Sequence, residues 1–258
     1  MGDRGDALVI GGGISGVSIG YEMAAHRRVG LLEMEATLAY HTSGRSVATF
    51  IVSYGGPVIR ALTAGARRFF TDPPDIMASP LLSPLGVLWV GRPDEAAHIQ
   101  ARYDAVHELV PDARMVSPHE VATLNPALRL GYAGVSLYEP GAARIDVHAL
   151  HQGYVRGLRR RGGDVHVGAP VVRLSRQAGV WQVEDARGEQ YEAEVVVNAA
   201  GSWVDQLAER AGVAPIGIRP LRRSAFLVTP PPGLPVRTLP PMLEATGLVA
   251  GRDFHLAF

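Results

Sequence analysis

Gly11, Gly13 and Gly16 stand at the spacing G-x-G-x-x-G, and an acid, Glu33, closes the next apolar run. Residues of these types at this spacing can hold a pyrophosphate. Gly11 allows a tight turn off a strand. Gly13 offers bare backbone for the phosphates to approach. Gly16 lets the following helix pack on the sheet. Ile14 and Ser15 open that helix, whose free N–H groups and partial positive charge suit an anion. Glu33 is spaced to accept hydrogen bonds from a ribose, and it disfavours a 2′-phosphate. The spacing alone leaves NAD, NADP and FAD open. An ordinary glycine turn would lack the strand before, the helix after and the acid about 20 residues on.

Three further groups carry possible chemistry. Thr42, Ser43, Gly44, Arg45 and Ser46 supply hydroxyls, bare backbone and a cation together. They read either as a cap for a helix over residues 46–52 or as a second loop facing phosphate or flavin. The run Asn198-Ala199-Ala200-Gly201-Ser202-Trp203 is a second strand–turn–helix junction that brings backbone against a nucleotide. Arg222 could clamp a carboxylate through two parallel hydrogen bonds, or serve as a surface arginine on a strand. His41 and His255 read as structural. No side chain stands out as a general base.

Composition narrows the classes. The chain has 258 residues, with 25 basic and 25 acidic side chains and formal net charge +0. That balance argues against a nucleic-acid surface or a polybasic membrane patch. With no cysteine, disulfides, thiolate metal sites, a cysteine nucleophile and a cysteine-tethered flavin are excluded, and no metal site is expected. No apolar run reaches the ~18 residues of a membrane span. Asp3 and Asp6 precede a short apolar run leading into the glycine turn, which reads as a first strand and not a secretion signal. The expectation is a cytoplasmic protein.

The elements that must position these groups follow in order. A strand over 6–10, a helix over 14–26 and a buried parallel strand over 29–33 form a βαβ unit. An amphipathic helix covers 58–70 and stops at Pro73-Pro74. An irregular loop at 80–84 leads to a strand over 85–90 and a helix over 93–110. Ser117, Pro118 and Glu120 form a capping box. A short strand covers 134–138, and a loop at 141–146 ends on Asp146, which caps a helix over 147–161. A strand over 163–167 precedes a meander at 170–176, 180–185 and 190–193, then a separate buried strand at 194–197 and a helix over 204–211. Residues 216–220 and 221–229 read as strands of another sheet. This order predicts an α/β protein: a Rossmann-like βαβ nucleotide domain from residues 1–50 and 145–212, and a second, mixed-sheet (α+β) substrate domain from 51–144 and 213–258.

The chain resembles the D-amino-acid-oxidase-like flavoproteins, the group of glycine, sarcosine and D-amino acid oxidases. The likeness rests on residues 9–16, 41–46 (His-Thr-Ser-Gly-Arg-Ser), 60–64, 80–84 (Pro-Leu-Leu-Ser-Pro), 150–154 (Leu-His-Gln-Gly-Tyr), 198–201 and 222–226. Within the group these stretches look closest to the D-arginine dehydrogenases. The resemblance implies noncovalent FAD and a substrate sheet over the flavin ring. It implies that residues 11–16 hold the pyrophosphate and Glu33 the adenosine ribose, with Met34 beside it. Thr42 to Ser46 would lie along the pyrophosphate and flavin, Val171 would meet adenine through its backbone, and Ala200, Gly201 and Trp203 would support the flavin side. Arg222 would bind the substrate carboxylate, and Tyr54 would lie over the substrate.

Departures from that group bear on the substrate. Thr49 and Phe50 replace a histidine and a tyrosine, and Val87 or Leu88 replaces a glutamate that anchors a basic side chain. Losing that acid leaves a buried substrate cation unpaired. A pocket of Val87, Leu88 and Trp89 then predicts a neutral or hydrophobic D-amino acid. Members of the group continue past residue 258, so the substrate domain is expected to be incomplete at its C-terminus. Three functions are expected in this order: oxidative deamination of a D-amino acid with oxygen or a quinone or carrier as electron acceptor, a truncated non-catalytic chain binding FAD weakly or not at all, and oxidation of glycine or sarcosine. An NAD(P) enzyme is disfavoured by residues 42–46 and 198–203.

Overall fold

The computed structural model describes residues 5–129, 131–222, 224, 229–234 and 238–245, and the backbone of 255–256. Its strands are β1 (Gly5–Ile10), β2 (Val29–Leu32), β3 (Thr49–Phe50), β4 (Leu82–Pro84), β5 (Val87–Val90), β6 (Arg114–Val116), β7 (Ser136–Glu139), β8 (Ala143–Ile145), β9 (Asp164–His166), β10 (Val171–Gln177), β11 (Val180–Asp185), β12 (Gln190–Asn198), β13 (Met242–Glu244) and β14 (His255–Leu256). The helices are α1 (Ile14–Met23), α2 (Pro57–Thr71), α3 (Ala96–Asp104), α4 (Pro118–Leu124), α5 (Val147–Arg160) and α6 (Val204–Arg210). The chain divides into two compact units.

The first unit comprises the described parts of Met1–Ser46, Pro74–Ser79 and Val147–Ser224. Its sheet runs β10-β11-β12-β1-β2-β9. β12, β1, β2 and β9 are parallel, and β10 to β12 form an antiparallel meander. Alternation along the strands divides the core. Ala7, Val9 and Leu31 pack with Val17, Tyr21, Val155 and Leu158 of α1 and α5. Leu8, Ile10 and Leu32 pack with Leu174, Val183 and Leu207. Both faces of the parallel strands are therefore covered by apolar groups, which is why β1 and β2 read as continuous apolar runs.

Three sequence expectations change here. The segments 190–193 and 194–197 are one strand: Ala193 pairs with Trp181 on one side and with Gly5 on the other, so a single β12 serves both ladders. Its Val195 is 41% exposed, not buried. Among the described residues, 213–222 and 224 carry no strand. The Asp205 carboxylate accepts the N–H groups of Ile216 (2.9 Å) and Ile218 (2.7 Å), and Pro215 and Pro220 have none to give, so alternate positions here offer no ladder donor. Residues 225–228 lie outside the described residues. The described residues among 213–224 also fall in the first unit and not with the substrate sheet.

The second unit comprises the described parts of Val47–Pro73, Pro80–Asp146 and Ala225–Phe258. It holds a sheet β14-β13-β5-β7-β6 and a smaller one, β3-β8-β4. No helix covers 46–52. Residues 42–45 form a 3₁₀ turn, and Thr49 and Phe50 pair with Arg144 and Ala143. A β-branched and an aromatic residue suit that ladder. The expected loops at 80–84 and 141–146 become β4 and β8, paired with one another. The predicted helix over 93–110 shortens to α3. At its start Glu95 folds back to accept the N–H (2.8 Å) and guanidinium (2.7 Å) of Arg92. The capping box is present: Ser117 Oγ accepts the Glu120 N–H, and Glu120 accepts the Ser117 N–H.

Candidate cofactor and substrate-side residues

The glycine turn off β1 is built by close approaches. Gly11 has φ +115°, and a Cβ there would lie 2.3 Å from the Ala199 carbonyl oxygen. The tight turn is thus required twice, by conformation and by the strand-end junction beside it. A Cβ on Gly16 would lie 1.8 Å from the Gly11 oxygen. Gly16 therefore seats α1 on the turn itself, where the sequence pattern suggested the sheet. Gly13 is different: its nearest neighbour would be Ser43 Oγ at 3.2 Å.

Backbone donors at this turn are shared in a defined way. Glu33, 7% exposed, accepts the Gly12 N–H at 2.7 Å and the Glu35 N–H at 2.8 Å. It ties the turn to the end of β2, and a carboxylate with about four lone-pair sites keeps capacity for ribose hydroxyls. Ser43 Oγ accepts the Ile14 N–H at 2.9 Å. Among the described residues, no acceptor takes the N–H groups of Gly13, Ser15 and Gly16. Orphan donors at a helix start, with no Cβ at Gly13 to crowd them, fit a pyrophosphate.

The other two groups converge on the same turn. Residues 42–45 approach it through Ser43, and Gly44 passes the Ala39 carbonyl so closely that a Cβ would lie 2.2 Å from its oxygen. Ala199 meets Gly11, and its N–H donates to the Ile10 oxygen at 2.9 Å. Trp203 lies against His41, ring centroids 4.7 Å apart, and His41 Nε2 is 2.8 Å from a Glu35 oxygen. The Arg45 guanidinium stands over the Tyr40 ring at 4.7 Å, and Thr42, Arg45 and Ser46 are exposed. Met34 is half-buried after Glu33. Ala200 and Gly201 open the turn before α6, Gly201 at φ +55°. Val171 is buried and its carbonyl accepts Arg210 Nη1 at 2.5 Å, so that oxygen is engaged within the protein.

Sequence reasoning gave His151 no role. This α5 residue is 2% exposed, and its Nε2 lies 2.9 Å from the Gly12 carbonyl oxygen. Burial holds its pKa below the usual imidazole value, opposed by that hydrogen bond. A histidine on the buried stripe of an amphipathic helix was the available signal.

In the second unit, Thr49 is half-buried on β3 and Arg222 belongs to the first unit, exposed. Val87 and Leu88 are both fully buried but point to opposite sides of the sheet: Val87 and Trp89 join one core cluster and Leu88 another. The strand's two-residue period prevents Val87, Leu88 and Trp89 from lining one pocket. Tyr54 lies over Trp89, centroids 6.2 Å apart. Beneath it is a polar core missed in the sequence. Glu139, 0% exposed, accepts the Val52 N–H (3.0 Å), the Ser53 N–H (3.3 Å) and the Ser53 hydroxyl, while Trp89 Nε1–H donates to Ser53 Oγ at 2.7 Å. Arg102 stacks on the Trp89 ring at 3.6 Å and donates to the carbonyls of Ser53 and Ala245. Burial lowers its pKa to about 10, with Arg60 adding like-charge repulsion. His255 has no described side chain.

A glycine turn between a parallel strand and a helix, with helix-start amides that no described residue accepts, defines a dinucleotide-binding fold. The family profile described as FAD dependent oxidoreductase (DAO) matches residues 6–253, and the chain belongs to that family. It is 25% identical over 219 residues to the mitochondrial dimethylglycine dehydrogenase of Rattus norvegicus, covering 82% of this chain and 25% of that protein. It is 22% identical over 241 residues to a glycine oxidase of Geobacillus kaustophilus, covering 90% of this chain and 63% of that one. Among solved structures, the FAD-bound L-alpha-glycerophosphate oxidase of Mycoplasma pneumoniae superposes with TM-score 0.74 at 18% identity, over 82% of this chain and 58% of that chain. Glycine oxidase from Geobacillus kaustophilus gives 0.71 at 20% identity, over 81% and 58%. The structural likenesses show the fold. The chain spans a quarter of the dimethylglycine dehydrogenase and under two thirds of these other relatives. FAD, not NAD(P), is the cofactor of its family. Among the described residues, no helix is long and apolar enough to cross a membrane, and no cluster of three His, Asp or Glu could hold a metal ion.

Proposed function

We propose that the chain binds FAD noncovalently through the first unit and oxidises the Cα–N bond of a small amino acid or amine. The observation carrying this is the convergence of residues 11–16, 42–45 and 198–203 on one turn that keeps three N–H groups without an acceptor among the described residues. Gly13, Ser15 and Gly16 would donate to the pyrophosphate, and Glu33 would take ribose hydroxyls with its remaining lone pairs. FAD supplies the hydride acceptor. As the Cα–H pair leaves the substrate, the nitrogen lone pair closes the C=N bond. Water then converts the imino acid to a 2-oxo acid and ammonia. The final electron acceptor would be oxygen, a quinone or another carrier.

For the substrate we propose a neutral or hydrophobic D-amino acid. Val87 and Trp89 are apolar and buried, and the buried acid nearest them in the sheet, Glu139, spends its oxygens on Val52 and Ser53. That removes the partner a basic side chain such as arginine needs. Arg222 as carboxylate clamp and Tyr54 as a substrate-contacting residue are the roles the family resemblance supports. A second reading, oxidation of glycine or an N-methylated glycine, is favoured by the names of the relatives. The test is anaerobic bleaching of the flavin spectrum of the purified protein by D-alanine, D-leucine, D-phenylalanine, D-arginine, glycine and sarcosine. Bleaching by neutral D-amino acids is expected. Bleaching by D-arginine above all others would reverse the substrate assignment, bleaching by glycine or sarcosine alone would establish the second reading, and a colourless protein that FAD cannot reconstitute would overturn both.

A further inference from the structure

Gly12 and Gly13 share one peptide plane, and in a trans peptide the C=O and N–H point in opposite directions. The C=O of that plane, on Gly12, accepts His151 Nε2–H at 2.9 Å and the Ala39 N–H at 3.2 Å. The N–H at the other end, on Gly13, is one of the three without an acceptor among the described residues. A glycine pair has no Cβ to resist rotation of this plane. A flipped plane would turn a carbonyl oxygen toward the phosphates in place of a donor. The preceding plane is held separately, by Glu33 on the Gly12 N–H.

We propose that His151 is a positioning residue for the FAD pyrophosphate: by holding the Gly12 carbonyl it keeps the Gly13 N–H aimed at the anion. The proton sits on Nε2, because the partner is a carbonyl, and Nδ1 faces the Gln152 side chain at 3.5 Å. The ring comes from α5, remote in sequence, which explains how a helix outside the βαβ unit enters the cofactor site. The role holds whichever amine is oxidised.

The test removes FAD and titrates the apoprotein with FAD, ADP and adenosine, following calorimetry and flavin fluorescence. His151→Phe fills the volume without a donor, and His151→Gln places an amide N–H near the Nε2 position. FAD and ADP should each bind the Phe variant about tenfold more weakly, adenosine should be unchanged, and the Gln variant should lie within about threefold of the parent. Where the Phe variant does not fold, His151→Asn replaces it: its amide is one methylene short of the carbonyl and should bind FAD and ADP more weakly than the Gln variant. Parent-like FAD affinity in a folded Phe or Asn variant overturns the proposal. So does an equal loss for adenosine, which would mean a general disturbance of the fold.

Discussion

Ser53 gives both its N–H and its hydroxyl to one carboxylate, that of Glu139, 86 residues further along the chain. Val52 adds a third donor, and Trp89 donates to the same Ser53 hydroxyl oxygen. The Val52 N–H, the Ser53 N–H and the Ser53 hydroxyl all point at Glu139, and the Trp89 N–H points at the Ser53 hydroxyl oxygen. The segment leading to Tyr54 is thereby fixed by an acid on β7.

Glu139→Ala should destabilise the second unit by roughly 3 kcal/mol, because it leaves buried N–H donors without an acceptor and opens a cavity. Denaturant unfolding measures this. A loss under about 0.5 kcal/mol would mean that water replaces the carboxylate at no cost.

Glu139 also gives a pH dependence. Burial, despite the opposing hydrogen bonds from Ser53 and Val52, holds its carboxyl above the usual glutamate range, with Asp112 adding repulsion. The folded state thus keeps a proton that the unfolded chain loses near pH 4.5. Its contribution to stability is full below that pH and falls as pH rises through the folded-state value. Glu139→Gln abolishes this loss, so its melting temperature relative to the parent should climb from about pH 4.5 upward. A pH-independent difference would contradict the raised value.

The glycines of the turn should separate by function. Gly16→Ala sets a Cβ against the Gly11 carbonyl at 1.8 Å, backbone that cannot yield, and should cost on the order of 3 kcal/mol or prevent folding of the first unit. Gly13→Ala meets only the Ser43 hydroxyl at 3.2 Å, which can rotate. That variant should fold and lose FAD affinity, since the methyl stands where phosphate approaches. Circular dichroism and FAD titration of both variants decide it.

Much of the first unit was legible because its signals are local. The spacing of Gly11, Gly13 and Gly16 and the acid Glu33 lie in one 23-residue window whose apolar runs are buried on both faces. What the sequence could not reveal depends on pairing across long separations. Thr49-Phe50 is a strand only because Arg144 and Ala143 lie beside it. Residues 216–222 look like strands by composition, yet Asp205 takes the N–H groups of Ile216 and Ile218. Val87 and Leu88 are neighbours in the chain and sit in different cores. His151 and Glu139 bond to partners 139 and 86 or more residues away, so no spacing rule marks them.

Arg222 is exposed. Arg222→Met should leave stability within about 0.5 kcal/mol of the parent. If it clamps the substrate carboxylate, KM should rise about 30-fold, the equivalent of ~2 kcal/mol for a charge-assisted pair, and added guanidinium should recover part of the loss. Unchanged KM would remove the clamp.

Glu33 holds the Gly12 and Glu35 N–H groups with separate oxygens, at 2.7 and 2.8 Å. Glu33→Gln keeps the shape but has one acceptor oxygen, so its NH2 must face one of those two donors. One hydrogen bond is lost and one donor is left buried without a partner, at about 1–3 kcal/mol. The same change removes an acceptor for the ribose. Stability and FAD affinity should therefore fall together in this variant, whereas His151→Gln should spare both. Parent-like melting with reduced FAD affinity in the Glu33→Gln variant would assign Glu33 to the ribose alone. The opposite result would make it a clasp of the turn.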